Sequence, residues 1–334
     1  MAEIGVIGAG SWGTALASLL SDNGHEVMLW AYLPEEKETL LATRRHPNLK
    51  GAKLPEALGV TNELLEACHD KDLVVMAVPS TATRQTARNL KDILPEGQKV
   101  ITVSKGIEEG SLLTQCEIIE EELPQVQAGI LSGPSHAEEV VLKLPAAVVA
   151  GAKERSLAVF VQELFMNDYF RVYTSPDVLG IEIGGSLKNV IALAAGMSDG
   201  LQFGDNARAA LMTRGIKEIS ALACAMGGKP ETLSGLTGIG DLIVTCSSTH
   251  SRNHTAGYYI GQGMSADEAM KKVNMVVEGV HSAKAAKALG IKYDMDMPIV
   301  TAVNEILFEG KSASDGVRYL MGRNKKKEVE GMTW

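Results

Sequence analysis

The first residues that could do chemistry form a glycine-rich segment near the start of the chain. An apolar run at residues 4–7 leads into Gly8-Ala9-Gly10-Ser11-Trp12-Gly13, and an apolar-rich segment follows at residues 14–20. Strand, tight turn and helix in this order carry the glycine spacing of the dinucleotide-binding fingerprint. The first glycine permits the turn, the second lets the backbone approach a pyrophosphate, and the third lets helix and strand pack closely. The alternative is an ordinary strand–helix turn of an unrelated α/β protein.

Polar clusters also interrupt the apolar second half of the chain. Lys188 lies within one cluster at residues 184–189, and Asp241 lies within another at residues 236–246. Lysine is rarely buried without a reason, so Lys188 is either a functional group or a lysine whose ammonium reaches solvent along a helix surface. Asp241 is either a site residue or a helix cap.

A third cluster contains Ser251, Arg252 and Asn253, and two histidines flank it. His250 and His254 are four residues apart, which is a spacing that helical metal ligands can have. Because no third ligand lies nearby in the sequence, we expect no metal site.

These residues need elements to position them, and the two halves of the chain differ in this respect. Further apolar strand candidates lie at residues 27–30, 73–78, 100–103, 128–131 and 146–149, with helical segments between most of them. Continuous apolar strands alternating with helices predict a parallel sheet that is covered on both faces. After about Tyr173 the patterns are helical, at residues 181–197, 207–226, 265–272, 281–289 and 299–308.

The predicted fold class is therefore α/β, with an N-terminal Rossmann-type parallel sheet domain and an all-helical C-terminal domain. We place the dinucleotide-binding domain at residues 1–174 and the helical substrate-binding domain at residues 175–334. No linker rich in Pro, Gly or Ser marks the boundary, so the domains are expected to pack across a cleft. Ligands of such sheets bind at the carboxyl ends of the strands.

Composition excludes several classes of partner. The 334 residues carry a net charge of −9 and only 4% aromatic residues, so nucleic acid is not an expected partner. No uninterrupted apolar stretch reaches the length of a membrane span, and the N-terminus lacks the features of a signal peptide. The four cysteines show no metal or disulfide spacing, which favours a reducing compartment. A cytoplasmic location is expected by elimination.

The motifs taken together resemble the NAD(P)-dependent glycerol-3-phosphate dehydrogenase family of the bacterial type. The resemblance extends over nearly the whole chain, with the motifs in family order. The matching segments lie at residues 8–17, 103–106, 132–137, 185–189, 237–242, 251–253 and 277–279.

The resemblance implies a role for each matching residue. Lys188 looks like the general acid/base, with Lys105 and Asp241 as its active-site partners. The implied substrate contacts are Lys105, Gly133, Ser135, Lys188, Asn189, Asp241, Thr245, Ser251, Arg252 and Asn253, of which residues 251–253 resemble a phosphate-binding loop. The implied cofactor contacts are Gly8, Gly10, Ser11, Trp12, Gly13, Lys105, Ala137, Arg252, Val276 and Glu278.

These implied roles fit the reaction, which is hydride transfer between NAD(P)H and dihydroxyacetone phosphate. Reduction of a ketone needs a proton donor matched to neutral pH, and burial or a neighbouring cation brings a lysine into that range. An Arg fork with hydroxyl and amide donors suits a phosphate dianion. The resemblance also implies a homodimer and a supply of glycerol 3-phosphate for phospholipid synthesis.

The sequence leaves the choice between NAD and NADP open. An acidic residue at the end of the second strand binds the ribose hydroxyl of NAD, whereas an arginine accommodates the phosphate of NADP. Neither stands there: the family's usual basic residues are replaced by Tyr32 and Leu33, and its usual aromatic near Asn48 is absent. Glu35 and Glu36 come slightly late, and arginines 44 and 45 are in a position to fold back.

Two other functions compete with this reading. A β-hydroxyacid-type or ketopantoate-type dehydrogenase would share the architecture and the helical-domain lysine, but the 251–253 segment favours a phosphorylated substrate. A non-catalytic sensor of nucleotide redox state would be expected to lack catalytic residues, whereas Lys105, Lys188 and Asp241 are all present.

Overall fold

The computed structural model describes residues 1–328. The strands are β1 Glu3–Ile7, β2 Glu26–Trp30, β3 Gly59–Thr61, β4 Leu73–Met76, β5 Lys99–Thr102, β6 Gln127–Ser132, β7 Ala146–Ala152 and β8 Phe170–Ser175. The helices of the first half are α1 Ser11–Asp22, α2 Pro34–Thr43, α3 Leu64–Cys68, α4 Thr83–Leu90, α5 Gln115–Glu122, α6 Ala137–Val140 and α7 Arg155–Phe165. Those of the second half are α8 Val178–Gly200, α9 Gly204–Ala225, α10 Pro230–Leu233, α11 Asp241–Ser247, α12 Arg252–Gly261, α13 Ala266–Val273, α14 Glu278–Lys292, α15 Pro298–Phe308 and α16 Ala313–Met321.

The eight strands form one sheet in the order β3-β2-β1-β4-β5-β6-β7-β8. All neighbours are parallel except β6 and β7, which pair antiparallel. The predicted Rossmann-type sheet with a helical second part is therefore confirmed. All six predicted strands are present, whereas β3 and β8 were not predicted.

Both faces of the sheet are covered by apolar side chains. One face packs against α1 and α7 around Leu16, Phe165 and Phe170, and the other packs against α4 and α5 around Leu90 and Ile119. Burial on both faces explains why the central strands are uninterrupted apolar runs rather than alternating ones. The carboxyl ends of the mutually parallel strands β1, β4, β5 and β6 lie along one edge of the sheet.

The helical half is built around α8, which is buried along most of its length. Helices α9, α11, α12 and α14 pack around it, with Leu187, Leu193 and Leu222 in the shared core. By length and composition α8 could cross a membrane, but 94% of its most apolar window is buried inside the protein. Its apolar sequence is thus accounted for by its central place in the core.

Candidate functional site

The glycine-rich turn has the geometry that the fingerprint predicts. Gly8 has φ +116°, and a Cβ there would lie 2.6 Å from the carbonyl oxygen of Ala77, so only glycine fits. A Cβ on Gly13 would lie 2.0 Å from the carbonyl oxygen of Gly8, which shows how closely helix α1 approaches the turn. Gly10 by contrast faces open space, with no atom within 4 Å of a Cβ position. The turn is closed on its inner side and open where a ligand would approach.

Helix α1 begins at this turn with free hydrogen-bond donors. Gly10 precedes the helix and offers no side-chain cap, and the hydroxyl of Ser11 is buried with no partner among residues 1–328. Trp12 packs beside Ala15 and the buried Ala137 of α6. Unpaired N–H groups at a helix start are suited to an anion, so the predicted cofactor residues here fit a dinucleotide pyrophosphate.

The reaction-centre candidates come from three distant parts of the sequence. Lys105 follows β5, Lys188 lies on α8, and Asp241 is the first residue of α11. One carboxylate joins both lysines: Nζ of Lys105 donates to Asp241 Oδ2 at 2.6 Å, and Nζ of Lys188 donates to Oδ1 at 2.7 Å. Lys105 and Asp241 are 136 residues apart in the chain, so only folding brings them together.

Burial sets the electrostatics of this cluster. Lys188 is only 5% exposed, so it is not a surface lysine, and Asp241 is only 2% exposed and follows Gly240, the N-cap of α11. Burial, opposed by Asp241 and assisted by the Lys105 ammonium, lowers the pKa of Lys188 to about 8. For Asp241, burial alone would raise the pKa, but the two lysines outweigh it and hold the carboxyl below its usual value. The geometry thus produces a lysine that can exchange a proton near neutral pH.

Neighbouring polar groups hold the cluster in place. Thr245, one turn after Asp241 on α11, accepts from Lys188 Nζ at 2.6 Å and donates to the Asp241 carbonyl oxygen at 2.6 Å. Gly133, directly after β6, accepts from Lys105 Nζ at 3.0 Å through its carbonyl oxygen, and the Ser135 hydroxyl donates to the same oxygen at 3.0 Å. All these contacts involve residues that the sequence identified.

A second chain of amides begins beside Lys188. Asn189 accepts through Oδ1 from Asn253 Nδ2 at 3.0 Å, and Asn253 Oδ1 accepts from the backbone N–H of Gly279 at 2.8 Å. Asn189 and Asn253 are buried, and together with Gly279 they join α8, α12 and α14. Their side chains therefore fix the relative positions of three helices around the site.

The expected phosphate-binding loop is in fact the start of a helix. Ser251 is the N-cap of α12 and accepts from the N–H of His254 at 3.2 Å, whereas Arg252 and Asn253 form its first turn. The guanidinium of Arg252 is exposed and has no hydrogen bond or ion pair within the described part of the chain. The prediction of a loop was wrong because a capping serine followed by polar residues starts helices as well as turns. Helix start and free guanidinium still form an anion-binding combination.

The remaining cofactor candidates are Val276 and Glu278, and Glu278 contacts the segment that follows β4. The Glu278 carboxylate, at the start of α14, accepts from both the backbone N–H and the hydroxyl of Ser80, at 3.1 Å for the N–H. Val276 is partly exposed just before α14. Sequence reasoning missed Ser80, although its place four residues after the central parallel strand β4 was the available signal.

The end of β2 carries no charged group in the place that decides between the cofactors. Tyr32 is 75% exposed and Leu33 is 47% exposed. Glu36 turns back to accept from the backbone N–H of Leu33, and the Arg44 guanidinium donates to the Leu58 carbonyl oxygen at 2.8 Å. Glu36 and Arg44 are thus both engaged in local structure.

The two candidate metal ligands have other contacts. His254 Nε2 lies 2.8 Å from Asp199 Oδ2, and the His250 ring lies against that of His136, with centroids 5.8 Å apart. No group of three or more possible metal ligands occurs within residues 1–328.

Comparison with known proteins gives consistent similarities along the whole chain. The family models described as the N-terminus and the C-terminus of NAD-dependent glycerol-3-phosphate dehydrogenase match residues 3–158 and 177–318. The chain is 55% identical to glycerol-3-phosphate dehydrogenase [NAD(P)+] of Agathobacter rectalis, with both chains covered completely. A crystal structure of glycerol-3-phosphate dehydrogenase from Coxiella burnetii is 36% identical with a TM-score of 0.93, covering 96% of this chain and 99% of that one. A ketopantoate reductase from Ralstonia eutropha, 18% identical with a TM-score of 0.61 over 95% of this chain and 98% of that one, shares only the fold.

Proposed function

The chain belongs to the NAD-dependent glycerol-3-phosphate dehydrogenase family, and from this premise we propose that Lys188 is the general acid/base of its reaction. The enzyme is an oxidoreductase that uses NAD or NADP, and its reaction interconverts dihydroxyacetone phosphate and sn-glycerol 3-phosphate. The observation that carries the proposal is the Asp241 carboxylate, which holds a buried Lys188 and Lys105 side by side.

The route of the proton in this reaction follows from the protonation state of Lys188. With a pKa of about 8, its ammonium is charged at neutral pH and still gives up a proton readily. When bound between these residues, a nicotinamide cofactor would supply or accept the hydride at the carbon atom. As the carbonyl oxygen gains negative charge, Lys188 Nζ donates a proton to it, the alcohol forms, and the neutral amine regains a proton from solvent. In the reverse direction the neutral amine removes the hydroxyl proton.

Lys105 and Asp241 have electrostatic and positioning roles in this proposal. The Lys105 ammonium adds a second positive charge beside the oxygen that becomes negative, which stabilises the transition state more than the ketone. Asp241 holds both ammonium groups, so that neither needs to reorganise during the reaction. Thr245 accepts one hydrogen bond from Lys188 and so limits the directions in which its remaining protons point.

We place the substrate phosphate at the start of α12. Arg252 offers an exposed guanidinium with no competing partner among the described residues, next to the buried Ser251 and Asn253. Lys105 and Ser135 both donate to the Gly133 carbonyl oxygen, which supports Gly133 and Ser135 as further substrate contacts beside the reaction centre. The phosphate would then be separated from the reacting carbonyl by the length of the substrate.

For the cofactor, we propose that the chain uses NADH in preference to NADPH. The end of β2 offers the exposed Tyr32 and Leu33, and the Arg44 guanidinium is bound to the Leu58 carbonyl oxygen. The two glutamates in the first turn of α2 add negative charge, which opposes a phosphate group on the ribose.

The direct test is oxidation of NADH and of NADPH by the purified protein with dihydroxyacetone phosphate, followed by absorbance. Turnover supports the reaction, and the two values of kcat/KM measure the preference. A folded protein that binds either nucleotide but shows no turnover would contradict the proposal and favour another substrate or a sensor.

Two further proposals follow from family membership. Glycerol 3-phosphate would serve phospholipid synthesis, which complementation of a strain that requires added glycerol 3-phosphate tests. A homodimer is consistent with large exposed apolar side chains on the helical half, including Phe203 and Ile291, and light scattering tests it. The cytoplasmic location and the domain boundary after residue 174 also stay predictions.

A further inference from the structure

His136 is a half-buried histidine beside the reaction centre to which no role has been given so far. It lies between β6 and α6, and its Nε2 is buried without a hydrogen-bond partner among residues 1–328. A buried imidazole nitrogen normally has a partner, because leaving it without one is costly. Of the buried side-chain atoms without a partner, it is the only histidine nitrogen in the described part of the chain.

The surroundings of His136 place it between the lysines and the start of α12. Gly133, on the same loop, binds Lys105, and Pro134 lies close to Gly240, the residue before Asp241. On the other side, the His136 ring lies against the ring of His250, which directly precedes the N-cap of α12.

The charge state of His136 fits a neutral donor. Burial, and then the nearby Lys188 ammonium, lower the pKa of the imidazole, so it carries one N–H and no charge at neutral pH. A neutral ring can donate a hydrogen bond to an anion without placing a third positive charge beside Lys188 and Lys105.

We propose that His136 is a substrate-contact residue whose Nε2–H donates a hydrogen bond to a phosphate oxygen of the substrate. This inference rests on the proposed function, because it needs a phosphorylated substrate seated at the start of α12. It gives the loop after β6 a part in recognising the phosphate.

Three substitutions at this position separate the proposed contact from packing. His136→Phe keeps a ring against His250 and removes both nitrogens. His136→Asn keeps an amide near the Nδ1 position, whereas His136→Gln places an amide donor near the Nε2 position. His69→Phe, at an exposed site after α3, serves as the matched control.

The measurement is kcat/KM for dihydroxyacetone phosphate and for dihydroxyacetone, the same ketone without phosphate. We expect the Phe and Asn variants to lose about 10- to 100-fold with the phosphorylated substrate, mainly through KM, as for a lost hydrogen bond to a charged group. The Gln variant recovers most of this loss. Activity with dihydroxyacetone changes less than about twofold, because that ketone never makes the contact.

Other outcomes would overturn the inference. Equal losses with both ketones would mean that His136 only supports the fold of the loop, and a raised KM for NADH alone would make it a cofactor contact. Unchanged kinetics in the Phe and Asn variants would exclude any contact. If the unaltered enzyme failed to reduce dihydroxyacetone phosphate, the proposed function itself would fall, which is a distinguishable result.

Discussion

Helix α8 contributes to two buried polar sites, and each contains a buried carboxylate. The pKa of the carboxylate is lowered at one site and raised at the other. At Lys188, the carboxylate of Asp241 is held by two ammonium groups, and its pKa lies below the usual value. Six residues earlier, the Glu182 carboxylate caps α5: it accepts from the Cys116 N–H at 2.8 Å and the Thr114 hydroxyl at 2.7 Å. Glu182 has no ion pair among residues 1–328, and burial raises its pKa to about 7.

The comparison shows how the same helix serves chemistry and packing. Hydrogen bonds from neutral donors only partly offset the loss of water around Glu182, so it binds a proton easily and joins the two halves of the protein. The two cations at Asp241 keep it charged, and the charge in turn orients Lys188. We infer that the reactivity of Lys188 depends on a neighbouring carboxylate that stays charged, as Asp241 does.

The largest expected effect comes from removing the Lys188 side chain. Lys188→Ala should lower kcat by about 1000-fold or more, because general acid catalysis alone contributes about 10²- to 10⁴-fold. Cofactor affinity, measured by fluorescence titration, should stay nearly unchanged. Glu182→Gln on the same helix is the matched control and should keep most of the activity. Normal turnover by the alanine variant would remove Lys188 from the mechanism.

Arg252→Ala removes a guanidinium that has no ion pair among the described residues, in contrast to the paired Lys188. We expect KM for dihydroxyacetone phosphate to rise about 10- to 100-fold with a smaller change in kcat, since in the proposed function the guanidinium contacts the substrate phosphate throughout the reaction. Steady-state kinetics measure this directly. An unaltered KM would show that the phosphate binds elsewhere.

The pH dependence tests the charged site without any substitution. Because Lys188 must be protonated to act as an acid, kcat for ketone reduction should fall about tenfold per pH unit above a pKa near 8. Alcohol oxidation needs the neutral amine, so it should fall as the pH drops below the same value. Rates in both directions between pH 6 and 10, roughly, would show opposite limbs. Two parallel profiles would contradict the assignment.

Leu33→Arg adds a charge where the end of β2 has none. The preference for NADH over NADPH should fall about tenfold, because the guanidinium can pair with the ribose phosphate. The ratio of the two kcat/KM values gives the result, and Leu41→Arg, further along α2, is the control. If both arginine variants behaved alike, the effect would be one of net charge.

Glu182→Gln should change stability rather than turnover. A folded-state pKa raised to about 7 means that the contribution of Glu182 is fully present below its unfolded pKa near 4.5 and is lost as the pH rises through 7. Urea unfolding measures the free energy of unfolding of both proteins. Between pH 4.5 and 8, this free energy should rise for the glutamine variant relative to the unaltered protein by roughly 2–3 kcal/mol. A pH-independent difference would show that Glu182 does not titrate in this range.

The sequence by itself determined the elements whose signal is local. The glycine spacing identified the first strand, turn and helix, because the positive φ of Gly8 and the close approach of Gly13 to the Gly8 carbonyl oxygen belong to the turn itself. Buried strands such as β4, and the long helix α8, could be predicted from their apolar runs. The β3 strand has only three residues, and β8 alternates in burial, so neither gave a clear run.

The tertiary structure decided how the polar residues combine. Sequence motifs could nominate Lys105, Lys188 and Asp241 one by one, but the shared carboxylate depends on packing between segments 53 and 136 residues apart. The shifted pKa of Lys188 depends on burial, which no local pattern specifies. The burial of His136 Nε2 without a hydrogen-bond partner among residues 1–328 likewise depends on the distant elements that enclose it, because solvation is a property of the whole fold.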